Sequence, residues 1–358
     1  MIAPLITAPG RRLEAAWPLL SLIILVLLVA GTTLWVNDPE ISQTVTEALI
    51  RLVVVVGMYL FIGNSGIISF GHIGFMAIGA YAAAWQTCCP PLKPMIMPGL
   101  PDFILHRSLP FLPATVIAGT LAALVAFLVG FFIMRLSGVG ASIATFAFLA
   151  IVEIIYSNWD RVTAGTGAVV GIPVVVTVPI ATCASIAALI VAYGFQVSSY
   201  GLSLRSSRDD EVAARAAGVD VFRQRLIALV LSAFLVGYGG ALYSHFLGIL
   251  SPDIFYLNLA FVTLAMLVVG GVGSLAGAVV GVLVVSATIE VLRRLEVGMD
   301  LNGMTIRLPP GSQEVLLGIL MLLVLIFRNR GLTSSREISW PRRPSLHGSI
   351  DKRSVEQV

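Results

Sequence analysis

Charged side chains are scarce in this 358-residue chain: Asp, Glu, Lys and Arg make up 11% of the residues, and 58% are hydrophobic. A soluble domain carries roughly 25% charged residues, so this deficit excludes an ordinary water-soluble fold. Charge is absent throughout the apolar runs 17–36 and 111–134. About 20 such residues span a bilayer as a helix. The short alternating segments typical of a membrane β-barrel are missing, so the composition indicates a bundle of transmembrane helices.

Lysine and cysteine are also rare, and their placement excludes several kinds of site. The two lysines, Lys93 and Lys352, lie outside any phosphate-binding loop pattern, so we expect this chain to lack its own nucleotide site. Three cysteines, two of them adjacent, form neither a disulfide framework nor a metal-ligand pattern, and we expect no metal. Nucleophile-elbow and zinc-protease motifs are absent, so an enzyme is not expected.

The apolar runs predict an all-α, polytopic transmembrane helical bundle with about 8–10 membrane helices. The predicted helices are 17–36, 46–63, 67–86, 111–134, 139–157, 174–197, 226–247, 258–272, 275–292 and 312–328. The eighth and ninth form one apolar stretch interrupted at 270–274, which is compatible with two helices, one broken helix or a re-entrant element. We assign residues 1–332 to the membrane domain. The polar segment 333–358 is predicted to be a disordered tail.

The distribution of basic residues predicts the orientation. With the N-terminus inside and alternating helices, 15 of the 22 Lys and Arg lie inside, counting the tail. The positive-inside rule then favours both termini in the cytoplasm. Without the seven basic residues of the tail the split is 8 to 7, so the prediction depends mainly on the charged loop 203–225.

This loop 203–225 predicts a short cytoplasmic helix. Ser207 and Asp210 have a spacing like that of a capping box, and acids follow where the helix dipole favours them. Small residues between 212 and 217 make a smooth side, and Gly218 suits a helix end. Such a helix can dock into a soluble partner. The alternative is a solvated connector with good helix propensity.

Polar residues at membrane depth mark a second segment. Asn64, Ser65, Ser69 and His72 lie among four glycines between 63 and 74. Polar groups at this depth line cavities or face protein, so they are candidates for a translocation pathway. The alternative for His72 is a packing role, with a hydrogen bond to a neighbouring carbonyl. Two further acids, Glu153 and Glu290, lie in apolar runs, and the sequence does not identify their partners.

A third segment repeats glycine every fourth residue. Gly273, Gly277 and Gly281 would share one helix face and allow a second helix to approach closely, so we expect a packing role.

Several blocks of sequence, taken in order over roughly 45–292, resemble one family. They are 65–72 with Phe75 and 79–81, 144–148, 158–159, 163–167, 171–173, 208–211 with Ala213, Ala214 and Gly218, 237–241, 251–252 and 270–274. In this order they resemble the LivM-like permease subunits of branched-chain amino acid ABC importers.

The resemblance implies a multi-pass protein of the inner (plasma) membrane that works in a larger assembly. A second, LivH-like permease subunit would complete the pathway, two ABC ATPase subunits would use ATP, and an external solute-binding protein would deliver the solute. This chain itself would bind no cofactor, and no nucleic acid is expected.

The resemblance also implies roles for individual residues. Arg208, Asp209, Asp210, Glu211, Ala213, Ala214 and Gly218 match the family's coupling segment, which seats on an ATPase. Asn64, Ser65, Ser69, Phe70, Gly71 and His72 are the pathway candidates. The chain departs from the family pattern at Val212, where importers carry Glu, and at Ile67, where Gln is common.

Alternatives from other classes make different predictions. A permease of the same family for urea or a short amide would carry similar blocks. An ion-driven secondary transporter would work from this chain alone and need more buried acids. A scaffold without transport activity would leave the polar block at 63–72 without a purpose. The sequence does not name the solute.

Overall fold

The computed structural model describes residues 9–301, 304–306, 309, 311–328, 331–334 and 337. Helices dominate this part of the chain. Their bounds are α1 (Pro9–Val36), α2 (Pro39–Ser65), α3 (His72–Thr87), α4 (Lys93–Ile96), α5 (Asp102–Leu105), α6 (Phe111–Ile133), α7 (Val139–Asn158), α8 (Asp160–Thr163), α9 (Val178–Val197), α10 (Ser199–Asp209), α11 (Glu211–Ala216), α12 (Val221–Leu247), α13 (Leu257–Gly270), α14 (Leu275–Val297) and α15 (Ser312–Phe327).

Strands are short and lie at loops. The strand β1 (Val169–Val170) pairs antiparallel with β2 (Ile249–Leu250), and β3 (Met299–Leu301) pairs antiparallel with β4 (Met304–Ile306). A 3-10 turn, Pro252–Phe255, precedes α13. Among the described residues, eight helical segments are long and apolar enough to cross a membrane. The prediction of an all-α polytopic bundle is therefore confirmed, and the chain is a multi-pass membrane protein.

All ten predicted helices are present, with different ends. The second begins at Pro39 rather than at 46, because Asp38 accepts hydrogen bonds from the N–H groups of Glu40 and Ile41 and starts two polar turns. The third begins at His72 rather than at 67. Gly66, with φ +73°, ends α2, the N–H of Ile67 bonds to Ser65 Oγ at 3.2 Å, and residues 66–71 are non-helical. An apolar-run criterion detects neither effect.

The interrupted stretch near 270 is two helices. The helix α13 ends at Gly270, and residues 271–274 make a turn before α14. Gly271 has φ +121°, a conformation that glycine adopts without strain. This arrangement selects one of the three possibilities that the sequence left open.

The centre of the bundle is formed by α2, α3 and α12. Every residue of α2 from Ala48 to Ser65 is buried except Arg51, which is half-buried, and α3 is buried along nearly its whole length. Glycines allow this packing: a Cβ added to Gly79 of α3 would lie 2.1 Å from the carbonyl oxygen of Gly237 in α12. By contrast α6 and α7 expose apolar side chains such as Leu124 and Ile143, as expected of helices that face lipid or another membrane protein.

Candidate functional site: a helix break beside a charged helical hairpin

The chain reverses direction between α2 and α3 within the bundle. Gly66 ends α2 with φ +73° and donates its N–H to the carbonyl of Ile62 at 2.9 Å. Its backbone lies against a side chain of α10, since an added Cβ would be 2.8 Å from Cγ of Arg208. Residues 66–71 are non-helical, and α3 restarts at His72. We call residues 66–71 the helix break.

His72 lies at the centre of the bundle and is fully buried. Its Nδ1 is 2.8 Å from Ser69 Oγ and its Nε2 is 2.8 Å from Ser232 Oγ. The hydroxyl proton of Ser232 goes to the carbonyl of Gly57 at 2.6 Å, so Ser232 must accept from His72 Nε2–H. In the neutral ring Nδ1 is then the acceptor of the Ser69 hydroxyl, so the neutral tautomer that fits these contacts is Nε2–H. The partners of His72 are therefore hydroxyls rather than the carbonyl considered in the packing alternative.

The other pathway candidates occupy different surroundings. Asn64 and Ser69 are fully buried, and Ser65 nearly so. Gly71 packs on α7, where an added Cβ would lie 2.8 Å from the carbonyl oxygen of Thr145. Phe70 is half-buried.

Phe70 belongs to a small aromatic cluster. Its ring meets those of Phe146 and Phe261 edge-on, with centroid distances of 5.9 Å and 6.1 Å. Phe146 and Phe261 are both exposed, so this cluster is accessible from outside the chain. The structure thus separates Phe70 from the buried polar members of the predicted set.

A helical hairpin, α10 and α11, abuts the end of α2. Arg205 Nε donates to Asn64 Oδ1 at 2.7 Å, and a second nitrogen of Arg205 donates to the hydroxyl of Tyr59 at 3.0 Å. Arg208 donates to the carbonyl of Gly63 at 2.7 Å. The last carbonyls of a helix carry partial negative charge, so the guanidinium groups satisfy and stabilise the end of α2.

The cap of the predicted short helix differs from expectation. Asp210, rather than Ser207, is the N-cap: its carboxylate accepts the N–H groups of Val212 and Ala213, both at 2.9 Å. Ser207 lies inside α10, and its hydroxyl donates to the carbonyl of Leu204. Asp210 acts as the N-cap because its backbone is extended, which divides the segment into the two helices α10 and α11.

The small residues that follow the cap make a short, mostly exposed helix. The helix α11 ends at Ala216, and Gly218 follows with φ +85°, donating its N–H to Arg215. Asp209, Val212, Ala213 and Gly218 are exposed, and Ala214 is buried against the bundle. One side of α11 is thus free for a partner.

Glu211 fastens α11 to α12. Its carboxylate pairs with Arg225 at 2.8 Å and with Arg215 at 2.5 Å. Arg225 is buried, whereas Arg215 is largely exposed. Burial by itself raises the pKa of Glu211, but the hydrogen bonds and charges of Arg225 and Arg215 outweigh it and lower the pKa overall.

A series of hydrogen bonds that the sequence did not predict leads away from the hairpin, beginning at Tyr59, which accepts from Arg205. The hydroxyl of Tyr59 donates to Gln196 Oε1 at 3.1 Å, and Gln196 Nε2 donates to Glu337 at 3.0 Å. The carboxylate of Glu337 also accepts the N–H of Leu275 at the start of α14. Gln196, a polar residue near the end of an apolar run, was a signal for this contact. Glu337 lay in the predicted tail, whose other residues beyond Ser334 fall outside the described part.

The three predicted packing glycines do not share one helix face. Gly277 and Gly281 lie on α14 against α13, where an added Cβ at Gly281 would be 1.8 Å from the carbonyl oxygen of Met266. Gly273 lies instead in the turn before α14, because the helix begins at Leu275. Ser274 caps that start by accepting the N–H of Gly277.

Glu153 and Glu290, whose partners the sequence did not identify, both have partners in the structure. Glu153 accepts a hydrogen bond from Ser157 at 2.9 Å. Glu290 pairs with Arg293 and Arg294 at the end of α14 remote from α10. Across the described ranges, no cluster of three His, Cys, Asp or Glu side chains could hold a metal ion.

Comparison with known proteins supplies the family. Residues 40–325 match the family model described as "Branched-chain amino acid transport system / permease component". The chain is 26% identical over 321 residues to the high-affinity branched-chain amino acid transport system permease protein LivM of Escherichia coli K12, covering 80% of this chain and 68% of that protein. The LivM of Salmonella typhimurium is 25% identical over the same shares.

A probable LivM of Methanocaldococcus jannaschii is 25% identical over 149 residues, 40% of this chain and 41% of that protein. No solved structure matches the chain. The family model spans well over half of the sequence, including the helix break and the hairpin. The chain therefore belongs to the family of permease components of branched-chain amino acid transport systems.

Proposed function

We propose that this chain is the LivM-like permease subunit of an ABC importer that moves branched-chain or related amino acids across the inner membrane. A LivH-like permease subunit shares the pathway, two ATPase subunits hydrolyse ATP, and an external binding protein delivers the solute. The chain contributes the pathway and the coupling surface and binds no cofactor of its own. Both of its ends lie in the cytoplasm.

The observation that carries this proposal is the joint between the hairpin and the helix break. Arg205 and Arg208 of α10 hold the last turn of α2 through Asn64 and the carbonyl of Gly63. Gly66, the residue that follows the end of α2 at Ser65, begins the break, with its backbone against Arg208. A partner that displaces the hairpin therefore moves the end of α2 and the break together.

This joint suits an ATP-driven importer. ATP binding on separate subunits must favour one of two permease conformations through contacts that differ between them. A short, capped helix with an exposed side presents such contacts, and α11 is held at one end by Asp210 and at the other by Gly218. Because Glu211 also ties α11 to α12, the hairpin transmits force to two central helices rather than yielding locally.

Charge supports the proposed orientation. Arg205, Arg208, Arg215, Arg223 and Arg225 all lie on or beside the hairpin. Short loops with an excess of arginine stay on the cytoplasmic side. The segment after α15 lies at the same end of the bundle. Leu332 and Thr333 donate hydrogen bonds to Val269 and Gly270 at the end of α13, and a Cβ added to Gly63 of α2 would lie 2.9 Å from the carbonyl oxygen of Val272, just after α13.

We assign the pathway contact to Phe70 and a supporting role to the other candidates. The aromatic cluster of Phe70, Phe146 and Phe261 offers accessible apolar surface beside the break, which suits the side chain of a branched-chain amino acid. Asn64, Ser65, Ser69, Gly71 and His72 hold the break in shape.

The test is a reconstituted assembly. The chain is purified with its co-assembling subunits, placed in liposomes with ATP inside, and assayed for ATP hydrolysis and leucine uptake driven by the binding protein. Replacing residues 208–218 with a Gly/Ser linker should abolish ATPase binding, whereas Arg223→Gln, on an exposed side chain at the same end, should not. Uptake by this chain alone under an ion gradient would overturn the proposal in favour of a secondary transporter.

A further inference from the structure

The segment that follows α15 returns to the end of the bundle that carries the hairpin of α10 and α11. Leu332 and Thr333 donate their N–H groups to the carbonyls of Val269 and Gly270, in the last turn of α13. The hydroxyl of Thr333 also donates to the carbonyl of Gly270, at 3.0 Å. The last carbonyls of a helix have no partner within it, so this segment satisfies the end of α13.

Glu337, a few residues further along the chain, caps the next helix. Its carboxylate accepts the N–H groups of Leu275 and Ala276, at 2.8 Å and 3.3 Å, in the first turn of α14. Amides at the start of a helix lack partners within it and carry partial positive charge, so a carboxylate is favoured there. Ser274 caps the same turn by accepting the N–H of Gly277. The start of α14 is therefore held by a carboxylate that lies 62 positions beyond Leu275.

Glu337 is also the last acceptor in the series of hydrogen bonds that leaves the hairpin. Arg205 donates to the hydroxyl of Tyr59 at 3.0 Å, and Tyr59 donates to Gln196 Oε1 at 3.1 Å. Gln196 Nε2 then donates to Glu337 at 3.0 Å. We call these four residues the Arg205–Glu337 series. A guanidinium only donates and a carboxylate only accepts, so the direction of every bond in the series is fixed.

The two middle members of the series are removed from solvent. Tyr59 is fully buried, and Gln196 is 6% exposed. A buried donor or acceptor that loses its partner carries the cost of desolvation, so the bonds of the series are costly to leave unmade. The series is therefore a fixed link between α10, α2, α9 and the start of α14.

This link reaches a helix that the joint at Arg208 does not. The bond from Arg208 to Gly63 connects the hairpin with α2 and the helix break. The Arg205–Glu337 series ends on α14, which has 23 residues. At 1.5 Å per residue α14 is about 34 Å long, so it extends from the hairpin to the opposite end of the bundle. Movement of the hairpin can therefore be passed along α14 to that end.

We infer that Glu337 is a positioning residue of the transport cycle, which links the start of α14 to the hairpin so that α14 and α2 move together. The inference rests on the proposed function, in which the hairpin seats on an ATPase. Without the link, ATP hydrolysis continues, because the hairpin and its joint to α2 are intact. The helix α14 then no longer follows the hairpin, and less solute is carried for each ATP.

The experiment uses the chain with its co-assembling subunits in liposomes and measures leucine uptake per ATP hydrolysed. Glu337→Ala should lower this ratio roughly tenfold, as expected for loss of a hydrogen bond to a charged group, while the ATPases stay bound. Glu337→Gln should keep most of the ratio, because a single oxygen of Glu337 accepts from both Gln196 and Leu275, and an amide oxygen can replace it.

A substitution at Gln196 separates the link from the cap. Gln196→Leu breaks the Arg205–Glu337 series and leaves both bonds from α14 to Glu337 intact. It should therefore lower uptake per ATP as Glu337→Ala does. The double variant should be no worse than either single variant, because both act on one series. Additive losses would contradict a shared link. Should Glu337→Ala not assemble, Gln196→Leu and Glu337→Gln decide the question.

Ser274→Ala is the matched control. It removes a cap from the same turn of α14 and a contact with Thr333, but no member of the series. It should lower thermal stability and leave uptake per ATP unchanged. An equal fall in the ratio for Ser274→Ala and Gln196→Leu would mean that only an intact start of α14 matters, and it would overturn the inference.

Failure of this inference and failure of the proposed function give different results. If wild type takes up leucine with ATP, and Glu337→Ala and Gln196→Leu keep its ratio, the function stands and Glu337 has no positioning role. If wild type takes up leucine without ATPase subunits, under an ion gradient, the proposed function is wrong and the role of Glu337 is wrong with it.

Discussion

Arg208 donates a 2.7 Å hydrogen bond to the backbone carbonyl of Gly63, across 145 positions of sequence. The carbonyl belongs to the last turn of α2, and the guanidinium belongs to the hairpin proposed to face the ATPases. The bond joins the two parts of the chain that the proposed mechanism requires to move together.

Arg208→Ala should uncouple ATP hydrolysis from uptake. A hydrogen bond from a charged group contributes about 1.5–3 kcal/mol, which corresponds to roughly a tenfold or larger loss in the coupled step. Leucine uptake per ATP hydrolysed, measured in liposomes, should fall by that factor while the ATPases stay bound. Arg223→Ala removes an exposed arginine of the same surface and serves as the control. Equal effects of both variants would argue against a specific joint.

Ser232→Ala should destabilise the bundle through His72. The substitution removes the acceptor of His72 Nε2–H, which leaves this buried donor unpaired, and it removes the second donor to the carbonyl of Gly57, which keeps its bond within α2. The expected loss is about 1–3 kcal/mol in the free energy of unfolding, measured by denaturant titration in mixed micelles. Thr120→Ala, at an exposed site on α6 where the hydroxyl bonds only its own helix, should change it little. In a double variant with His72→Ala the losses should be less than additive.

Gly281→Ala should be poorly tolerated, because the new methyl group would meet the backbone of α13 at 1.8 Å. Overpacking of this kind costs about 1–3 kcal/mol or more, and separation of α13 from α14 would accompany it. Gly31→Ala is the matched substitution: within the described chain nothing lies within 4 Å of a Cβ added there. It should leave thermal stability unchanged or slightly raised, since alanine favours a helix. A stable Gly281 variant would contradict the close contact.

Glu211→Gln should loosen α11 from α12. Arg225 is buried and would lose its charged partner, which costs about 1–3 kcal/mol in the free energy of the α11–α12 contact. We expect the low end of this range, because Glu211 is partly exposed and solvent screens its charge. Hydrogen exchange of residues 211–225 should quicken, whereas Asp220→Asn, in an exposed pair, should have little effect.

The same carboxylate predicts a pH dependence. The folded-state pKa of Glu211 is lowered, so its contribution is fully present above the ordinary glutamate pKa and is lost as pH falls through the folded value. Protection factors of the wild-type amides in 211–225, which are corrected for the intrinsic pH dependence of amide exchange, should therefore fall on acidification toward those of the Gln variant, and those of the variant should change less. If wild type and the Glu211→Gln variant showed the same pH profile, Glu211 would not be the group whose titration controls this contact.

The periodicity and composition of the sequence were sufficient for the main architecture. Long runs without charge specify membrane helices wherever they occur, because unpaired backbone groups and charges are costly in lipid. The short helix α11 was also predicted, since acids, small residues and Gly218 in that order favour a short capped helix, whereas α10, the other half of the hairpin, was not. The cap itself fell on Asp210 rather than Ser207, because both residues suit a cap and only the backbone at Asp210 is extended.

The sequence by itself determined that the chain is a helical membrane protein, the approximate positions of its ten long apolar helices, with ends displaced by up to eight residues, and which family it resembles. The tertiary structure decided what the polar residues inside those helices do. His72 meets Ser232 across 160 positions, and Arg205 meets Asn64 across 141. Such contacts depend on how helices pack, and packing follows from the shapes of faces that lie far apart in sequence.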